Sequence, residues 1–192
     1  MKRILCYGDS NTYGYDSRAY LGGRYPEAVR WTGLLKRSGW EVVNEGQNGR
    51  EIPTRAWEKH AAIRAVARAM PVEVITVMLG SNDLLQSPAR RAEDVAGRME
   101  RFLQDMLPHR ADARVLLIAP PPMRPGEWVC DARLLTESAR LGACYRLLAQ
   151  ALGIEFADAG AWNVDTAFDG VHFSEAGHAA FAEGLLTLLQ PL

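Results

Sequence analysis

An excess of charge of either sign is missing from this chain: 22 Lys and Arg stand against 23 Asp and Glu, a formal net charge of -1 over 192 residues. So even a balance gives no general attraction to nucleic acid or to an anionic membrane surface. Cysteine is scarce as well. Cys6, Cys130 and Cys144 are odd in number and lack Cys-x-x-Cys spacing, which argues against a disulfide framework and a thiolate metal site. No apolar run approaches the roughly 20 residues of a membrane span. Met1-Lys2-Arg3 runs at once into a short apolar stretch, which leaves no room for a secretory apolar region. A cytoplasmic location is therefore expected, with no nucleic-acid partner and no membrane insertion. Internal repeats and low-complexity linkers are also lacking, so a single domain over residues 1–192 is expected, and 48% hydrophobic composition suffices for a sizeable core.

What the chain does have is alternation. Short apolar or β-branched runs at residues 3–7, 41–44, 72–79, 114–119 and 154–157 are each followed by a longer amphipathic segment. The runs at 72–79 and 114–119 are too continuously apolar for half-exposed hairpin strands and suit parallel strands covered on both faces. The expected fold is α/β, a three-layer α/β/α sandwich around a five-stranded parallel sheet. Helices are expected near 26–38, 54–69, 91–107, 132–152 and 175–189, with Pro26 opening the first, Gly39 closing it and Pro71 stopping the second. Arg64, Arg68, Arg90, Arg91, Arg98 and Arg101 are expected on solvated helix faces. The proline-rich stretch 120–128 is the longest irregular segment, and its prolines stiffen it.

Polar residues collect where the strands end. Strand one leads into Gly8-Asp9-Ser10, strand two into Asn44-Glu45-Gly46-Gln47-Asn48-Gly49, and strand three into Gly80-Ser81-Asn82-Asp83. In a parallel sheet these ends share one edge, so Ser10, Gly49 and Asn82 can converge. On its own, Gly8-Asp9-Ser10 is a turn whose polar side chains cap backbone N–H groups. Asp169-Gly170-Val171-His172, just ahead of the last helix, alters that reading. A turn of this length lets the carboxylate reach one imidazole nitrogen while the other faces the sheet edge, as a general base for a serine requires. Asp158 and Asp165 compete for the carboxylate role, although Asp158 also fits a strand-end turn. His178 reads as a packed histidine of the last helix, His60 and His109 as surface residues, and Asp83 as a residue that orients its loop.

Gly8-Asp9-Ser10, Gly49, Gly80-Ser81-Asn82-Asp83 and Asp169-Gly170-Val171-His172, in this order, resemble the four sequence blocks of the SGNH hydrolases, the GDSL esterase/lipase superfamily. The resemblance spans nearly the whole chain. It implies a flavodoxin-like fold of strand order 2-1-3-4-5 and ester hydrolysis with no cofactor and no metal. It further implies that Ser10 is the nucleophile, His172 the base and Asp169 its orienting acid. The oxyanion hole would be formed by the N–H of Ser10, the N–H of Gly49, for which Gly46 is a nearby competitor, and the side-chain amide of Asn82. Asn11 stands where the family name has leucine; it either caps the following helix or touches substrate. Val29-Arg30-Trp31-Thr32-Gly33 and Tyr13-Gly14-Tyr15 are similar to the arylesterase and acyltransferase branch.

Tyr13, Tyr15, Trp128, Trp162 and Phe173 fall in or beside loops on the same edge and are expected to wall a substrate site, which together favours a small acyl or aryl ester. The same loop aromatics suggest a homo-oligomer. The expected activity is that of a serine esterase that hydrolyses or transesterifies such esters. The alternatives are a carbohydrate O-deacetylase or a lysophospholipase/thioesterase on the same fold, and, in another class, a catalytically silent α/β binding domain.

Overall fold

The computed structural model describes residues 2–19 and 23–189. Five strands, β1 (Arg3–Gly8), β4 (Glu41–Gly46), β5 (Val74–Met78), β6 (Arg114–Ala119) and β7 (Glu155–Asp158), form one parallel sheet in the order β4-β1-β5-β6-β7. Among these strands that is the order 2-1-3-4-5. Two two-residue strands, β2 (Tyr15–Asp16) and β3 (Gly23–Arg24), pair separately as an antiparallel hairpin.

Side-chain alternation explains the layers. Along β1, Leu5 and Tyr7 point into one apolar cluster, Ile4 and Cys6 into the other. β5 divides likewise, Ile75 and Val77 against Val74 and Met78, and β6 sends Val115 and Leu117 one way, Leu116 and Ile118 the other. A strand buried on both faces needs apolar residues on both sides of the pleat, which is why these segments read as near-continuous hydrophobic runs, with Thr76 the polar exception within β5. Helices α3 (Ala56–Ala69), α5 (Ala92–Met106) and α6 (Ala132–Leu152) cover the first face, while α2 (Trp31–Arg37) and α7 (Glu175–Leu189) cover the second through Trp31, Leu35, Phe181 and Leu185. The sheet is thus a three-layer sandwich whose strand C-termini share one edge. β1 passes to β4 on one side of the sheet and β4 returns to β5 on the other, so the chain reverses direction at β1/β5 and opens a crevice there.

The first long helix begins at Trp31 instead of residue 26. Pro26 starts a turn, its carbonyl accepting from the N–H groups of Val29 (3.0 Å) and Arg30 (3.2 Å). Gly33 lies against the Glu27 carbonyl, where any Cβ would collide. Two short helices, α1 (Ser10–Tyr13) and α4 (Ser81–Leu85), follow β1 and β5 directly. The arginine assignment also needs correction for Arg90 and Arg98. Both turn inward to Glu51 (2.8 and 3.2 Å), and Arg98 meets the fully buried Asp83 at 2.6 Å. Among the described residues, no helix is long and apolar enough to cross a membrane.

His178 lies wholly inside the second face of the sandwich, edge-on to Tyr25 (5.1 Å) and Phe173 (5.5 Å). Burial, and then the Arg30 cation, push its imidazole down to about 4, with Asp16 opposing weakly. An unfolded histidine titrates near 6.5, so the neutral folded form contributes stability above that pH that is lost as the pH falls toward 4. A gap of this size corresponds to about 3 kcal/mol. His178→Asn, which keeps an acceptor near the Trp31 N–H, is expected to flatten this slope in urea unfolding between pH 7 and pH 4. Equal acid losses in variant and parent would show that His178 does not titrate this way.

Candidate active site

The turn that carries Ser10 forms because β1 ends at Gly8 and Asp9 then caps α1. The Asp9 carboxylate accepts from the Asn11 N–H at 2.9 Å, and Gly14 closes the helix in a left-handed conformation with φ 90°. Burial pushes the Asp9 carboxyl up to about 6, against the Asn11 hydrogen bond and the nearby His172 and Arg50. Ser10 opens α1, with its hydroxyl facing the crevice. Its Oγ lies 3.0 Å from Nε2 of His172, and Nδ1 of the same ring lies 2.7 Å from Oδ2 of Asp169.

Asp169 and His172 come from one loop. Oδ1 of Asp169 accepts from the N–H groups of Val171 and His172, both at 2.9 Å, so a single carboxylate folds its own turn and grips the ring. Burial works against charge on Asp169, but the hydrogen bonds from the His172 side chain and the two backbone N–H groups outweigh it and hold the carboxyl at about 2. The acid is therefore ionised at neutral pH. The proline-rich segment braces this loop, with the N–H groups of Arg124 and Trp128 donating to the carbonyls of Gly170 (2.9 Å) and Asp169 (3.1 Å). Gly126 allows that approach, since a Cβ there would meet the Asp169 backbone.

The loops after β4 and β5 reach the same edge. Gly49 has φ +71° with open space around its Cβ position, so backbone conformation, and not crowding, calls for glycine there. Its N–H has no acceptor among the described residues, whereas the Gly46 N–H donates to Oδ1 of Asn44 at 2.9 Å. Nδ2 of Asn82 donates to the Arg50 carbonyl at 3.1 Å. An amide carries two N–H donors, and the other has no acceptor among the described residues.

Asp83, expected to orient its loop, braces the neighbouring one, and sequence reasoning missed its partner Arg98 and the brace from Arg50. Asp83 Oδ2 accepts from the Ile52 N–H at 3.0 Å while Arg98 pairs with its other oxygen, which clamps the Gly49 loop to α4. The Arg50 guanidinium donates to the carbonyls of Gly8 (3.0 Å) and Glu45 and stacks 4.3 Å above Tyr7. An acid directly after Asn82 and a basic residue directly after Gly49 were the available signals.

The expected aromatic wall divides. Tyr15 and Trp128 flank His172, with ring centroids 4.6 and 5.0 Å away, and Trp128 is 49% exposed. Tyr13 lies beneath the Arg24 guanidinium at 4.2 Å. Phe173 is corrected: at 0% exposure it packs on Phe181 in the core and cannot face a substrate. Trp162 is corrected too, because its ring lies edge-on to Phe181 and over Gly184 of α7. Asn11 neither caps α1, a role Asp9 fills, nor faces the crevice. Its amide is buried and bonds to the carbonyl of Val171 (3.1 Å) and the N–H of Phe173 (2.9 Å). The rival acids are occupied elsewhere: Asp158 accepts from the Gly160 N–H and Asp165 from the Ser174 hydroxyl. Among the described residues, no three His, Cys, Asp or Glu side chains are grouped to hold a metal.

Residues 6–180 match the GDSL-like Lipase/Acylhydrolase family. The chain belongs to this family. Three solved structures show how closely a GDSL-like acylhydrolase fold is retained, each covering 98% of this chain and 98% of its own. They are the aryl esterase of M. smegmatis (26% identity, TM-score 0.87), a putative arylesterase from Agrobacterium tumefaciens str. C58 (31%, 0.85) and Est24, a carbohydrate acetylesterase from Sinorhizobium meliloti (25%, 0.85). No curated protein sequence matches this member of the family.

Proposed function

We propose that this acylhydrolase is a serine esterase that transfers the acyl group of small carboxylic esters through an acyl-enzyme on Ser10. The observation that carries this reading is the 3.0 Å approach of His172 Nε2 to Ser10 Oγ, with Asp169 on the other ring nitrogen. Ser10 attacks the ester carbonyl as its proton passes to Nε2. The N–H groups of Ser10 and Gly49 and the free N–H of Asn82 receive the oxyanion. The imidazolium then protonates the departing alcohol, leaving an acyl ester on Ser10. Water or a second alcohol attacks that ester, His172 takes its proton, and acid or new ester leaves with the Ser10 hydroxyl restored.

The alcohol must leave beside His172, which is its proton donor. Tyr15 and Trp128 stand there, so the leaving-group side of the crevice is aromatic. Such faces suit an aryl or a sugar alcohol. The aryl esterases and the carbohydrate acetylesterase with the same fold carry these two kinds of name.

A two-way panel tests the reading. With the alcohol fixed as p-nitrophenol, hydrolysis is expected to peak among acetyl to butyryl esters and fall by decanoyl. With the acyl group fixed as acetyl, aryl and glycosyl acetates are expected to outrun ethyl acetate, and added alcohol should divert acyl groups from water. A maximum at the long-chain end, or preference for a thioester, would contradict it.

A further inference from the structure

Asp169 and His172 are three residues apart, and their mutual geometry is set inside one loop by the two N–H groups that Asp169 accepts. Nothing within that loop sets the distance to Ser10, which lies 162 residues away in sequence. The 165–173 segment is tied to the proline-rich loop through Arg124 and Trp128, and to itself through the Ala167 N–H and the His172 carbonyl (2.7 Å). The tie to the serine turn is Asn11. Its Nδ2 donates to the carbonyl of the Val171–His172 peptide and its Oδ1 accepts from the N–H of the His172–Phe173 peptide. One side-chain amide therefore grips the peptide groups on both sides of the base, and its own backbone carries the adjacent nucleophile.

Asn11 is itself held on both sides. Asp9 accepts from its N–H, and the Trp31 indole donates to its carbonyl at 2.9 Å. Trp31 is in turn packed on Phe181, the same ring that anchors Phe173. Serine turn and histidine loop thus share a single aromatic footing, and the Asn11 amide spans the gap between them. At 4% exposure, with its oxygen and its nitrogen each bonded to backbone of the histidine loop, the amide is buried out of reach of a substrate.

We propose that Asn11 is a positioning residue that fixes the His172 ring at bonding distance from the Ser10 hydroxyl, an inference that rests on the esterase reading above. No atom of Asn11 enters the reaction. It acts through the Cα position and ring orientation of His172, where a displacement of about 1 Å can cost on the order of 100-fold in rate.

The test compares Asn11→Leu and Asn11→Ala with the parent and with Ser10→Ala, each corrected for the folded fraction from its unfolding curve. Leucine matches the branching and heavy-atom count of asparagine but is bulkier, and it leaves the Val171 carbonyl and the Phe173 N–H without partners; alanine removes the same two bonds and leaves room for water, so it serves should the leucine variant fold poorly. Expected for both is a loss of about 100-fold in kcat, with little change in KM, equally for phenyl acetate and a glycosyl acetate. Fluorophosphonate labelling per folded molecule should slow in parallel. The midpoint of the pH–kcat curve should stay with the parent, because the Asp169–His172 pair is intact. Parental kcat per folded molecule, with lowered stability alone, would overturn the proposal. So would a loss confined to KM or to one alcohol, which would mark a substrate contact. If Ser10→Ala keeps parental turnover and labelling, the esterase reading itself fails, whatever Asn11 does.

Discussion

Ser10→Ala is expected to lower kcat toward p-nitrophenyl acetate by about a millionfold while leaving the unfolding curve nearly unchanged. The change removes a single oxygen, and that oxygen's one side-chain hydrogen bond is to Nε2 of His172. No packing depends on it, since Asp9 caps α1 and the backbone of Ser10 stays helical. Without the hydroxyl no acyl-enzyme can form. The remaining oxyanion donors and His172 could only assist direct attack by water, the residual rate seen when a catalytic serine is deleted. Steady-state turnover beside a thermal melt checks both halves. A stable variant with substantial turnover would show that the 3.0 Å contact is structural only.

Asp169→Asn is expected to cost about 10,000-fold in kcat. Oδ1 of the new amide can still accept from the N–H groups of Val171 and His172, so the turn is kept. The amide nitrogen then faces Nδ1 of His172 where a carboxylate oxygen stood at 2.7 Å. A donor at that place favours the tautomer with Nδ1 bare and Nε2 protonated, which cannot accept the Ser10 proton. It also removes the negative charge that stabilises the imidazolium. The pH–rate profile checks this: the plateau should fall and its dependence on a neutral base should alter. Activity within tenfold of the parent would instead place Asp169 as a turn former with no part in proton transfer.

These effects rest on contacts whose outline the sequence carries more clearly than their detail. The runs 72–79 and 114–119 indicate strands covered on both faces because apolar residues fall on both sides of the pleat, and both lie inside the sheet, away from its edges. α1 and α4 were illegible, since four or five residues make too short a window to display a helical period. Pro26 marks a turn as readily as a helix start, and only the crowding of Gly33 against Glu27 decides between them. Phe173 follows His172 in a bend and pairs with Thr166 through an isolated bridge; its side chain enters the core while the imidazole meets Ser10, a divergence that spacing alone does not reveal. Arg98 has helical spacing like a solvated residue, but the loop carrying Glu51 and Ile52 and the α4 residue Asp83 both meet its guanidinium. Asn11 shows most plainly where local patterns end. Its partners are 160 and 162 residues away, and no window of sequence contains both sides of that contact.

The most direct measurement is to treat the parent protein with a fluorophosphonate, digest it, and locate the modified side chain by mass spectrometry. One adduct on Ser10, formed at a rate that falls when His172 is replaced by alanine, is the predicted result. An adduct on another residue, or no reaction by a folded protein that still hydrolyses p-nitrophenyl acetate, would contradict a Ser10 nucleophile.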